Sequence, residues 1–426
     1  MKLTLNLGRV GFVLLMVAAA SPIGLAQSKK KEAASAVPDW GQFRGPNRDG
    51  LSPDTGLLKQ WPAGGPTLAW KATGFGGGFS SVVVAGKMLY TLGDTNGAAC
   101  LIAVSTADGK ILWKSPIGDK GGSNGAGPRS TPATDGVLVF GLGQEGTLVC
   151  VQAATGREVW RKNMRDLGGE MMSGWGYSES PLIDGQMLVV TPGGSKGTVA
   201  ALNKATGAPV WQSGELKDKA PYSSLVPVTW GNIPQYVVYT ERSVAGIVAR
   251  TGQVAWRADC PGKTAVASSP VVNKEGQIFV SSAYGTGHNA FQVSFSGGQF
   301  RAQEIYKGNF ESHHGGMVLV GDHVYGLDGG TLKCIEIKTG KVAWADRCVG
   351  KGSILYADGH LYCRSESRGP AAIALVEATP TGYKESGRFT PPTPSGVDSW
   401  ANPVVFGGKL YIRDQDQLFC YDVKAK

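Results

Sequence analysis

The side chains able to carry chemistry are few in this chain, and most lack the spacings that chemistry needs. Two of its five histidines are adjacent, His313 and His314. Neighbouring residues of a strand point to opposite faces, so the pair reads as a poor chelate and no metal site is expected there. The seven cysteines fall at no zinc-site spacing. No Gly-x-Ser-x-Gly elbow marks a nucleophile. The glycine-rich stretches Gly74–Phe79 and Gly121–Gly127 lie between strands and open no helix, which disfavours a phosphate cradle. No catalytic set is readable, and function must be sought in the loops of whatever scaffold the chain builds.

That scaffold is written in a seven-residue phrase. Lys338–Trp344 reads KTGKVAW, and Ala107–Trp113, Ala154–Trp160, Ala205–Trp211 and Arg250–Trp256 repeat its glycine four residues before a tryptophan. Trp70, Trp113, Trp160, Trp211 and Trp256 follow one another at 43, 47, 51 and 45 residues. The next interval, to Trp344, is 88, twice 44, with Tyr306 standing where a tryptophan is due and Phe389 taking the role 45 residues later. Units of roughly 40–50 residues made of short apolar runs and glycine turns are blades of a β-propeller. Eight units are expected, at 74–116, 122–163, 172–214, 220–259, 265–308, 313–347, 350–390 and 398–426. The last shows only three strands, and Thr67–Ala72, carrying Trp70, is expected to complete it and close the ring. The fold class is all-β: four-stranded antiparallel blades in a single domain over 39–426, with 39–65 an irregular segment. Each tryptophan is expected to fill the wedge between blades, its indole N–H reaching a partner, so that Trp160→Ala costs about 3–5 kcal/mol.

Binding groups on a propeller gather on the loops around the central channel. Position alone nominates Arg129 in unit 2, Tyr177 and Glu179 in unit 3 and Tyr222 in unit 4. It also nominates His313 and His314 in unit 6, Lys351 in unit 7, and Asp398 and Trp400 in unit 8. Glu179 reads as an ion-pair partner of Arg129 one blade away, and Arg129 itself as either a ligand contact or a donor to loop carbonyls. Tyr222 and Trp400 read as wedge packing more readily than as stacking platforms. The connection Asn163–Tyr177 carries Met164, Met171, Met172 and Trp175, an adaptable apolar surface that either docks a partner or tucks over the channel.

The first 26 residues read as an export signal: Lys2 and Arg9, the apolar run Gly11–Ala20, and Gly24-Leu25-Ala26 as a cleavage site after Ala26. An uncleaved anchor is the alternative. No cysteine follows the apolar run to accept a lipid, and Gln27–Pro38 is a polar leader expected to be disordered. The mature chain is expected to be periplasmic or secreted, monomeric and without a membrane span. Net charge is +9, from 42 basic and 33 acidic residues. Without a basic stripe interleaved with aromatics this indicates a solvated surface, and no nucleic-acid partner is expected. Cys150, Cys334 and Cys420 occupy one repeat position, filled elsewhere by Ala103, Ala201 and Gly246, and so read as small buried fillers. Cys260 and Cys348 lie on equivalent loops two blades apart and are not expected to pair. Cys100 and Cys363 find no place in the repeat.

The Gly-x-x-x-Trp turn in units of this length resembles the pyrroloquinoline-quinone (PQQ)-type propeller repeat, over about Asp39 to the C-terminus. The phrases FRGPNRDG (Phe43–Gly50), GPRSTP (Gly127–Pro132) and WGYSESPLIDG (Trp175–Gly185) look like those of secreted PQQ-like propeller proteins. Two branches share the repeat. The quinoprotein dehydrogenase branch implies a quinone held against a disulfide of adjacent cysteines and a calcium site of Glu, Asn and Asp. This chain has no adjacent cysteines and no segment matching that site. The branch of BamB-type outer-membrane assembly factors, similar in size and blade count, implies a non-enzymatic module with an envelope protein partner, though those are lipoproteins. The resulting expectation is an exported binding or assembly module with no cofactor, taking a partner or small ligand at the channel mouth. The alternatives are a dehydrogenase using PQQ and calcium in a degenerate site, and a carbohydrate-binding propeller.

Overall fold

The strands of this chain pair almost entirely with their sequence neighbours, as short apolar runs joined by tight glycine turns should. The structure, a computed structural model, describes Met1 and residues 40–121, 127–369 and 371–425. The export signal and leader lie outside the described residues. One 3-10 turn, Met164–Leu167, is the only helical element among the described residues. Six antiparallel meanders of four strands stand as separate sheets, and two more are joined by a single parallel bridge, Gly315 to Ser353. In chain order these eight units span 83–119, 133–163, 182–212, 226–259, 271–308, 312–347, 352–389 and 404–422, here sheets 1 to 8. The fold is that of a β-propeller. The fourth strand of sheet 8 is Thr67–Thr73, paired antiparallel with Gln417–Asp422.

The repeat phrase becomes a latch between sheets. A β-bulge lies beside each tryptophan post, and the post faces a small residue on the neighbouring strand: Trp113 opposite Ala103, Trp160 opposite Cys150, Trp344 opposite Cys334, Trp70 opposite Cys420. Cys150, Cys334 and Cys420 are fully buried there, with free thiols. Each ring leans onto the turn of the next unit. Gly207 holds φ 71° beneath Trp160, where a Cβ would meet the ring at 2.9 Å, so neither the backbone nor the ring tolerates a side chain. The indole N–H then donates to a carbonyl of that next unit: Trp70 to Thr106, Trp113 to Ala153, Trp160 to Lys204, Trp211 to Ala249 and Trp344 to Thr379, at 2.8–3.1 Å. Tyr306 does the same with its hydroxyl, 2.6 Å from the Ile337 oxygen.

Trp256 departs from this pattern. It is buried within its own sheet and donates to Gln235 Oε1, while Trp230 supplies the inter-sheet bond to Asn273 O. The reason lies in sheet 5. Its outer hairpin, Gly287–Ser296 with Gln299–Gly308, ends in Gly297-Gly298 rather than a Thr-Gly turn, so no latch glycine meets Trp256.

Candidate functional site

The innermost strand of each unit begins beside the central axis, and a line of hydroxyls stitches these starts together. The Asn402 amide donates to Ser81 Oγ, that of Ser81 to Thr131 Oγ1, that of Thr131 to Ser180 Oγ, that of Ser180 to Ser224 Oγ, and that of Ser224 to Ser269 Oγ. Each bond, 2.7–3.2 Å, ties one sheet to the next and satisfies an amide that the narrow axis would otherwise strand.

The segment Trp40–Gly50 plugs the axis. Its main chain receives the amides of Val84 and Thr134, and Gln42 Oε1 receives that of Ile183. Arg48 is 1% exposed and donates to the carbonyls of Ser180, Pro181 and Leu225 at 2.7–2.9 Å. Arg44 donates to Gly315 O, Met317 O and Asn402 Oδ1. Beyond it, Leu51–Ser52 pairs parallel with Tyr356 and Ala357. The irregular glycine- and proline-rich phrase therefore joins sheets 1, 2, 3, 4, 6, 7 and 8. Burial brings both arginines down to about 10, so they remain cationic.

Above the plug lies a cavity of about 660 Å³, within the range of small-molecule sites. Phe43 of the plug reaches it. One wall is an unbroken run of rings. Phe79 stacks on Trp400 with centroids 3.8 Å apart, Trp400 lies 4.3 Å from His314, and His314 lies 3.5 Å from His313. His313 meets the edge of Tyr284, whose hydroxyl is 2.9 Å from His313 Nε2. The Arg129 guanidinium sits 5.6–5.8 Å from the Phe79 and Trp400 ring centres and donates to the Trp175 carbonyl. Tyr222 faces Trp175, and Asp398 lies across the cavity in a two-point pair with Arg368.

The structure thus brings Arg129, Trp175, Tyr222, His313, His314, Asp398 and Trp400 to one cavity. Trp400 is packed between Phe79 and His314 in the cavity wall. Tyr177 and Glu179 do not line the cavity. Tyr177 is buried and donates to Pro192 O. Glu179 is fully buried and does not pair with Arg129. Its Oε1 receives the Thr191 amide, and its nearest cation is Arg48 of the plug. Burial pushes its carboxyl up to about 7 against that attraction. Met171 and Met172 are half-buried against the cores of sheets 2–3 and 4–5, so the long loop tucks inward and presents Trp175 rather than its methionines. Of the two cysteines that find no place in the repeat, Cys363 meets Cys348 thiol to thiol and Cys100 receives the Thr95 hydroxyl.

The histidine pair corrects the alternation argument. The strand Ser312–Val320 is irregular between Ser312 and Met317, where Gly316 holds φ 69°, and strict alternation is lost. Both imidazoles turn to the same carboxylate: His314 Nδ1 is 3.4 Å from Glu366 Oε2, and His313 Nδ1 is 3.9 Å from Oε1. Lys351 does not reach the cavity; its Nζ holds Glu366 Oε1 at 3.1 Å. Burial alone would push Glu366 up, but His313, His314 and Lys351 more than reverse this and hold it well below the usual carboxylate range. Burial lowers the His314 imidazole, against the opposing pull of Glu366. Reasoning from sequence missed Glu366, Tyr284, Phe79, Arg368 and the plug arginines. Only the plug carried a signal, the FRGPNRDG phrase.

The family model described as outer membrane protein assembly factor BamB matches residues 98–346, from sheet 1 through sheet 6. The chain belongs to this family. No curated protein matches the sequence. Among solved structures, BamB from Moraxella catarrhalis superposes with a TM-score of 0.61 at 14% identity, covering 84% of this chain and 98% of that one. A quinohemoprotein alcohol dehydrogenase from Comamonas testosteroni gives 0.64 at 12% identity, covering 92% and 82%. At such identities the likeness is one of fold alone.

A quinone cofactor does not fit the residues present. All seven cysteines are free thiols and none lines the cavity. Phe79 and Trp400 stack directly on each other, leaving no slot between them for a planar ring system. The cavity's own carboxylate, Asp398, is engaged by Arg368, and Glu366 behind it by two imidazoles and an ammonium. No step is derived through such a group.

Proposed function

We propose that this protein is an exported eight-bladed propeller, its ring closed by Thr67–Thr73, that serves the cell envelope as a binding module. It takes a small polar ligand with a flat, stackable face at the channel mouth, and it performs no chemistry on that ligand. The observation that carries this reading is the cavity itself, plugged from one side and walled by the Phe79–Trp400–His314 stack on the other. Stacking surfaces beside Arg129, Asp398 and axial hydroxyls suit a sugar ring, with one apolar face and a polar rim. A second reading, an assembly partner's projecting segment in the same cavity, is favoured by the family match to an assembly factor.

A glycan array followed by calorimetric titration of its hits tests the first reading. Binding that weakens at least tenfold in Trp400→Ala, with Arg129→Ala also weaker, supports it. Hits whose affinity ignores both substitutions, or PQQ with calcium binding stoichiometrically and sustaining dye-linked alcohol oxidation, would overturn it. Site-specific photocrosslinking from position 175 in cells examines the second reading. One reproducible envelope protein, lost on Trp400→Ala, supports it, and no adduct counts against it.

A further inference from the structure

The cluster behind the aromatic wall has a chemistry of its own. His313, His314 and Glu366 each offer one donor atom, and the three donors lie within 4.8 Å of one another. A four-coordinate zinc-class ion bound at about 2.0–2.1 Å holds its nitrogen and oxygen ligands about 3.3 Å apart. His314 Nδ1 and Glu366 Oε2 already stand 3.4 Å apart, and His313 Nδ1 to Oε1 is 3.9 Å. His313 Nδ1 is shielded from solvent with no hydrogen-bond partner, while Tyr284 engages Nε2 on the far side of the ring. That is how an outer partner orients a ligating imidazole, leaving the other nitrogen's lone pair for an ion. An unpartnered buried nitrogen is otherwise a cost with no return.

We propose that His313, His314 and Glu366 form a three-ligand site for a divalent transition-metal ion of the zinc class. Its remaining coordination position opens toward the cavity. Two imidazoles and one carboxylate suit zinc, nickel or copper better than calcium or magnesium, which take oxygen donors. The Lys351 ammonium, 3.1 Å from Glu366 Oε1 and 42% exposed in its side chain, is the cation that the carboxylate holds without metal; its long stem lets it swing away. Because His313 and His314 both line the cavity, the ion would take a hydroxyl or carboxylate oxygen of a ligand held there. This last step rests on the reading of the cavity as a ligand pocket. Metal binding itself does not.

The test uses untagged, chelator-stripped full-length protein and zinc alone, titrated against a chromophoric chelator, with cobalt as a spectroscopic reporter. One ion per chain is expected, with visible cobalt bands of four-coordinate intensity. Glu366→Gln and His314→Gln should each weaken binding at least tenfold while melting near wild type without metal. Lys351→Met should tighten it several-fold, since the competing ammonium is gone. Absence of binding below 100-fold excess zinc over about 1 μM protein would overturn the proposal. So would stoichiometric binding that ignores Glu366→Gln and His314→Gln, or weaker binding by Lys351→Met. Zinc binding without any glycan or partner would leave the metal site standing and the proposed function fallen, so the two fail separately.

Discussion

Replacing Trp160 measures what one latch contributes. The ring packs beside Phe140 (centroids 6.0 Å apart), covers the Gly207 turn and donates to Lys204 O at 2.9 Å. Truncating a fully buried tryptophan to alanine costs about 3–5 kcal/mol. This ring is only partly buried, so its transfer share is smaller, while the hydrogen bond adds about 1 kcal/mol. Trp160→Ala should therefore cost about 3 kcal/mol, the lower edge of the range expected from sequence. The chain supplies its own controls. Tyr306 keeps the bond with a phenol, and Phe389, which lies two residues beyond its bulge and opposite Ile373 rather than at the post expected for it, covers the Gly65 turn without one. Trp160→Tyr should then cost about 1 kcal/mol and Trp160→Phe about 2 kcal/mol, the difference being the bond to the next sheet. Urea unfolding with unchanged m-values reads these numbers directly. Trp160→Ala within about 0.5 kcal/mol of wild type, the usual scatter of a surface change, would refute the latch. So would a phenol no better than a phenyl ring.

The plug and its buried charges make further predictions. Arg48→Met strips the donor from three interior carbonyls and the nearest cation from Glu179, and should cost roughly 3–5 kcal/mol in urea unfolding. Adding Glu179→Gln to it should recover part of that loss, whereas additive losses would show the two are not coupled. The Glu179 carboxyl stands at about 7 in the fold against 4.5 for the free group. Between those values the native state holds more protons than the unfolded one, so this contribution is full below about pH 4.5 and lost as pH rises through 7. His288, brought down to about 4 by burial, titrates in the opposite sense over the same window. The readout is therefore the difference between wild type and Glu179→Gln, which should move by a few kcal/mol from pH 4.5 to 7.5. A pH-independent difference would show that Glu179 is not shifted.

The architecture was legible because its determinants are local and repeated. A positive-φ glycine, a bulge and a large aromatic within seven residues recur in sheets 1, 2, 3, 4 and 6, and even the replacement at Tyr306 in sheet 5 keeps the bond that matters. Cys150, Cys334 and Cys420 were readable as fillers for the same reason: each faces an aromatic post across the ladder, and only a small side chain fits. Trp256 shows the limit. Its own phrase is intact, but its partner turn belongs to the next unit, where a hairpin of two ten-residue strands has replaced it. A latch needs two halves, and the repeat displays only one of them at a time.

The site was legible only as positions around a channel, because its contacts run between units that no local pattern links. Glu366 meets His313 and His314 from 52 or more residues away, and Arg48 reaches carbonyls over 130 residues away. The error at the histidines has a sharper cause. Alternation holds along a regular strand, and the glycines at 315 and 316 abolish it within three residues of the pair. Gly315 also forms the one bridge between sheets 6 and 7, and a Cβ there would run into the backbone of Gly352. The close approach that joins those sheets requires the glycine, and the same irregular stretch lets both imidazoles face one carboxylate. Structure and site are thus set by a single local departure from the repeat. Gly315→Ala should consequently separate the histidines from Glu366 as well as loosen sheets 6 and 7, so zinc affinity and stability should fall together in that variant and separately in Glu366→Gln.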